Sequence, residues 1–138
     1  MIPIARLGGT RDHLRSAFGR YVAEAAFWTP AALLPGSNVS WIAIDDETAR
    51  AIVRRDSMEQ AIDIRVAPDG RPVQVSFDRW SDANPEKRFR LQPFGGFLSE
   101  FKNFGGFCLP SHVEAGNQFG TAEYFPFYIV DVRAIRFL

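Results

Sequence analysis

The sequence predicts an α+β fold: one N-terminal helix packed on a curved antiparallel sheet of about six or seven strands, half-barrel-like in outline. Three observations lead there. Residues 10–28 repeat their apolar side chains at three- and four-residue steps, the period of a helix with one buried face. From residue 39 onward the period changes to two. No second stretch of helical period and comparable length follows. A chain of 138 residues fits one domain, read as a lead-in over residues 1–9 and a single α+β domain over 10–138. Folding at this size buries roughly 70% of the unfolded surface, so neither disulfides nor metals are required for stability.

The elements follow in order. The lead-in ends in Gly8-Gly9, and Thr10 is the helix N-cap, its hydroxyl placed to accept from an orphan amide. Leu14, Phe18, Tyr21, Val22, Ala25 and Trp28 form the apolar stripe. Arg20 and Glu24, four apart, are placed to pair on the helix surface. Pro30 disfavours helix at Thr29 and stops the element near Trp28. Ala31 to Pro35 is an apolar link, and Pro35-Gly36 a turn. Val39 to Ile44 reads as a strand and Asp45-Asp46-Glu47 as the turn after it. Thr48 to Arg55 suits a strand or a short helix, with the alternation favouring strand. Ile62, Ile64 and Val66, then Pro68-Asp69-Gly70, then Val73, Val75 and Phe77 make a hairpin with one buried face. Three further strands are expected at Arg88 to Gln92, Phe107 to Glu114 and Phe127 to Phe137. The tetrapeptide Phe94-Gly95-Gly96-Phe97 returns ten residues later as Phe104-Gly105-Gly106-Phe107, which suits bulges or tight bends in a curving sheet.

Composition excludes several functions. Sixteen basic residues balance sixteen acidic ones, whereas a dedicated nucleic-acid binder needs a surplus of cations. No secretory leader is evident, and no apolar run approaches the ~20 residues of a membrane span. Cys108 is the single cysteine, so no intrachain disulfide forms. The chain reads as a soluble cytoplasmic protein.

Few side chains suggest chemistry. Asp45, Asp46 and Glu47 are explained by turn bonding. Cys108, His112 and Glu114 are the components of a nucleophile set, but Pro110 redirects the backbone between the first two, and His112 and Glu114 share a strand face on which they can pair. Two His and one Cys give no zinc pattern, so no metal site is expected. The glycine pairs match neither phosphate-binding fingerprint, so no nucleotide cofactor is expected. The aromatic residues are abundant, and a curved sheet lined by them suits an apolar ligand, although the same rings also suit a core.

The stretch from Arg20-Tyr21-Val22-Ala23-Glu24 through Trp28-Thr29-Pro30-Ala31-Ala32-Leu33-Leu34-Pro35, followed by Trp41, Ile44-Asp45-Asp46 and Thr48-Ala49, resembles a bacterial and archaeal family of uncharacterised proteins, a domain of unknown function. Gly106, Leu109-Pro110 and Val113-Glu114 fit its later course, and the resemblance spans about residues 18–138. It implies an extra sheet-forming region ahead of the Arg-Tyr helix in most members. This chain would then be a short form, a fragment or half of an assembly, with an open edge and an uncovered apolar face that a homodimer would close. The resemblance brings no catalytic residues. A sheet around a helix is also similar to lipoprotein-carrier-like half-barrels, an analogy of fold alone.

The leading reading is a non-enzymatic domain that binds an apolar or amphipathic small molecule between sheet and helix. Trp28, Trp41, Phe97, Phe107 and Tyr128 would line the space, with Arg79 near its mouth. The alternatives are a structural module that self-associates through an open sheet edge and a Cys/His hydrolase-like enzyme built on Cys108, His112 and Glu114.

Overall fold

Helix α1 spans Arg11–Trp28 and precedes every strand among the described residues. The structure, a computed structural model, describes residues 9–138. The lead-in, Gly8 included, lies outside the described residues except for Gly9. Thr10 caps α1 as the sequence indicates: its side chain accepts from His13 N at 3.2 Å. A one-turn 3-10 helix, Pro30–Leu33, follows where an apolar link is expected.

Seven strands come next: β1 Val39–Ala43, β2 Thr48–Arg55, β3 Met58–Val66, β4 Pro72–Ser81, β5 Arg90–Phe104, β6 Phe107–Asn117 and β7 Phe125–Asp131. They form one antiparallel sheet in sequence order, each strand beside the next. The sheet is open, with β1 and β7 as its edges. The ambiguous segment Thr48–Arg55 is a strand, held in full register against β3. The Pro68-Asp69-Gly70 turn also forms: Gly70 sits at φ +85, and Asp69 Oδ1 accepts from Arg71 N at 3.1 Å.

Three sequence expectations are corrected. The first concerns the helix stripe. Leu14 and Tyr21 are each 59% exposed, and the buried face is Phe18, Gly19, Val22, Ala23, Ala25, Ala26 and Phe27. Small residues let α1 approach the sheet closely, and a Cβ at Gly19 would lie 2.9 Å from Gln60 Oε1 and 3.3 Å from Phe77 Cε2. Gly19 costs about 1 kcal/mol in helix propensity. Burial of a side chain such as Val22 or Ile62 contributes about 1.5–3 kcal/mol, so packing, not propensity, fixes the helix rotation.

The second concerns the last strand, which is Phe125–Asp131 and not Phe127 to Phe137. Val132 N makes a final bond to Ser111 O, and the chain then leaves the ladder. Phe137 instead meets Phe107, ring centroids 5.0 Å apart, although both rings stay about half exposed. The third concerns Pro110. It does not redirect the chain but lies fully buried inside β6, opposite Phe101.

The core lies between α1 and one face of the sheet. Phe18, Val22, Ala26 and Phe27 meet Ile62, Ile64, Val75, Phe77, Phe94, Leu98, Val113 and Ala115. The N-terminal end of α1 is pinned separately. Trp80 Nε1 donates to Asp12 Oδ1 at 2.8 Å, and the Arg15 guanidinium lies 4.1 Å from the Trp80 ring centre.

Candidate functional site

Strand alternation places Arg79 on the face of β4 that meets α1, opposite Gln92 of β5. Its Nη2 donates to Ser16 Oγ at 3.3 Å, and the guanidinium lies 5.2 Å from the Phe94 ring centre. The Nε atom is enclosed and has no hydrogen-bond partner among the described residues. Burial lowers the pKa of the group below the usual arginine value, and the nearby Arg20 charge lowers it further; Asp82 and Glu24 offset this in part. A cation withdrawn from water without a paired anion is costly to hold.

Around Arg79 the helix-facing side of the sheet becomes aromatic. Phe77 and Phe94 are 5.5 Å apart, and Phe94 meets Phe127 edge-on at 6.0 Å. Tyr128, opposite Ala115, packs on the core and carries the Arg20 guanidinium 5.1 Å from its ring centre. Burial first, and Glu24 second, raise the Tyr128 hydroxyl pKa, so it stays a neutral donor at physiological pH. Arg20, Glu24, Phe27, Phe77, Phe94 and Tyr128 border a crevice of about 20 Å³ between helix and sheet, room for roughly one water. Beside it on edge strand β7, Phe125 and Phe127 are 66% and 50% exposed. Phe125 and Phe127 form an apolar shelf beside the crevice; Arg20, in the crevice wall, is ion-paired to Glu24, and Arg79 lies over the ring of Phe94, outside the lining.

The six residues read from the sequence do not converge on one space. Tyr128 lines the crevice, and Arg79 lies over the ring of Phe94, one of its wall residues. Trp28 closes the helix end against Phe27, its Nε1 enclosed and without a partner among the described residues. Trp41 is on β1, where Nε1 donates to Leu33 O at 2.8 Å and ties the 3-10 turn to the sheet edge. Phe97 is on the opposite face from the core residue Leu98, against Phe119 at 5.3 Å. Phe107 is at the β5–β6 turn against Phe137. Sequence reading missed Phe94 and Phe127. Phe94 was hidden in the glycine-pair motif, and Phe127 faces the shelf because the β6–β7 register shifts at Ala115/Gly116, which no residue pattern announces.

The other sequence candidates separate as well. Cys108 is exposed beside the β5–β6 turn, four strand residues and about 13 Å from His112. His112 does not pair with Glu114; its Nδ1 meets Asp131 Oδ1 at 2.7 Å across β6–β7, which raises the imidazole pKa. In the β1–β2 turn, Asp45 Oδ1 accepts from Glu47 N at 2.8 Å, the local bonding expected of such a turn. A second groove, of about 410 Å³, opens where β3 and β4 splay apart beyond the Asp63–Ser76 pair. The ion-paired Arg50 and Asp63, at 2.7 Å, stand in its wall with Asp78 and Phe119.

The fold and this site define a class: a helix laid across an open antiparallel meander, with an aromatic shelf beside the crevice between them and, over Phe94, an arginine that no carboxylate pairs among the described residues. A model of a family of unknown function, DUF6544, matches residues 1–128, and the chain belongs to that family. No curated protein and no solved structure matches the chain. No helix among the described residues is long and apolar enough to cross a membrane.

Proposed function

We propose that the chain binds an amphipathic small molecule with an anionic head, at the mouth of the crevice between helix and sheet. The observation that carries this reading is Arg79: among the described residues its enclosed Nε has no partner and no carboxylate pairs its charge. Once α1 lifts to open the enclosed Nε, a carboxylate or phosphate head meets that donor and the Arg20 charge. An apolar tail lies along Phe94, Phe127 and Phe125. The closed crevice is too small for a tail, so the tail rests on the shelf or enters as α1 lifts from a sheet that curls around it as a half-barrel.

Calorimetric titration with dodecanoate and with dodecylammonium, both below micelle formation, tests it. Dodecanoate binds and dodecylammonium does not. Arg79→Leu weakens dodecanoate by about tenfold or more, as expected for loss of a charge-assisted contact. The same variant unfolds at an equal or higher temperature, because it removes a desolvated cation. Equal binding of both amphiphiles, or wild-type affinity in Arg79→Leu, contradicts the reading.

A second reading, self-association through a sheet edge, is favoured by β7. Its outer edge is unpaired among the described residues, and Ile129 is 58% exposed alongside Phe125 and Phe127. Light scattering on the purified protein decides it: a dimer that Phe127→Glu dissociates supports edge pairing, and a monomer at 100-fold dilution and at high concentration alike excludes it.

A further inference from the structure

On the other side of the molecule from the aromatic shelf, three neighbouring strands each contribute one side chain to a single cluster: Glu100 from β5, His112 from β6 and Asp131 from β7. One ligand atom of each lies within 4.8 Å of the other two. The register explains part of this. Ser99, His112 and Asp131 are cross-strand partners in one row, so His112 and Asp131 share a face. Regular alternation would send Glu100 to the opposite face. Instead Glu100 sits at φ +52, a backbone region that side chains other than glycine seldom enter. Leu98 and Phe101 therefore both pack on the core although they are three residues apart, and Glu100 turns outward beside His112. Ser111 Oγ donates to Glu100 O at 2.6 Å and fixes the kink. Among the described residues, neither Glu100 nor Asp131 is paired with an arginine or lysine. The backbone irregularity thus gathers two carboxylates around one imidazole with no cation between them.

We propose that Glu100, His112 and Asp131 bind a divalent first-row transition-metal ion of the Zn²⁺ type, with water in the remaining positions. One imidazole and two carboxylates suit such an ion better than Mg²⁺ or Ca²⁺, which prefer all-oxygen shells. Ligand bonds of about 2.1 Å in a tetrahedral shell place donors about 3.4 Å apart, so the widest spacing in the cluster contracts by up to about 1.4 Å on binding. The freedom to do so exists: the Asp131 side chain is 73% exposed, while His112 at 29% supplies the better-fixed ligand. Three protein ligands leave open positions, as in sites where a metal holds a reactive water. Read from the sequence, His112 had only Cys108 and Glu114 for company. Its true neighbours are 12 and 19 positions away and are supplied by strand register.

The test is calorimetric titration of the full chain with ZnCl₂ in a non-chelating buffer, together with the visible spectrum of the Co²⁺ form. One equivalent binds, His112→Ala abolishes that event, and Glu100→Gln and Asp131→Asn each weaken it by about tenfold or more. Glu100→Gly separates a metal role from a structural one: glycine accepts the positive φ, so the variant melts no lower than the parent, yet it too loses the ion. No binding below about 1 mM, a Co²⁺ spectrum identical to that of the free aquo ion, or equal affinity in the parent and Glu100→Gly overturns the proposal.

Discussion

The tetrapeptide Phe-Gly-Gly-Phe occurs twice in this chain, and the two copies use glycine for opposite reasons. In Phe94–Phe97 it lies mid-strand in β5, flanked on both sides by paired strands. Neither Gly95 nor Gly96 has a positive φ there; what they provide is room. A Cβ at Gly96 would sit 2.0 Å from Glu114 O and 2.5 Å from Ala115 Cα. A Cβ at Gly95 would meet Val75 O at 2.6 Å and Phe119 Cδ1 at 2.7 Å, where that ring covers the outer face. In Phe104–Phe107 the glycines form the β5–β6 turn at φ +58 and +93, with Asn103 Oδ1 accepting from Gly106 N at 2.9 Å. Gly106 has open space around it, so what it provides is backbone freedom. The same four residues are thus a close contact between strands in one place and a reversal in the other, and the surrounding chain decides which.

Substitution separates the two roles. The largest effect is expected from Gly96→Ala. The obstructing atoms belong to the β6 backbone, so β5 and β6 must part, at a cost of about 3 kcal/mol or more. Urea unfolding measures it, and a midpoint near that of the parent would break the steric account. Gly106→Ala meets no atom and costs only the left-handed backbone, about 1–2 kcal/mol. Gly106→Asn recovers most of that loss, because Asn enters this region more readily. If Ala and Asn are equally destabilising at 106, conformational strain is not the reason for glycine there.

The smallest effect compares the two hairpin turns. The β3–β4 turn contains Asp69, whose pKa is lowered from the ordinary 3.8 chiefly by its side-chain hydrogen bond with Arg71. A depressed folded pKa stabilises the turn above the unfolded value, and that contribution is lost as pH falls through the folded one. Asp69 is exposed, so the effect is local. Amide exchange around residues 67–71 should quicken below about pH 4 relative to exchange at 103–107, where no carboxylate sits in the turn. Equal acceleration in both turns would remove the Asp69 contribution.

The contrast also shows why the sequence was readable in some places and silent in others. Local signals were legible: the Thr10 cap, the stop before Pro30, the Pro68-Asp69-Gly70 turn and the period of two through β2 to β4. Glycine pairs announce a special position but do not say whether space or φ is needed, so Phe94 to Phe104 looked like bends where the structure has a 15-residue strand. The helix face differs at Leu14 and Tyr21 because hydrophobic periodicity carries no sign of the close approach that Gly19 and Ala23 permit. For the candidate site, Arg79 and Tyr128 were named from sequence. Phe94, Phe127 and Arg20 join them only through strand register and the docking angle of α1, which are long-range properties.

The most direct measurement is the NMR resonance of the Arg79 Nε–H group, assigned by its loss in Arg79→Leu, during titration with dodecanoate. The account predicts a free-state signal typical of an unbonded guanidinium, then a saturable downfield shift as a carboxylate accepts from Nε. A resonance that stays in place while dodecanoate reaches saturation elsewhere on the protein, or that never responds at all, would contradict it.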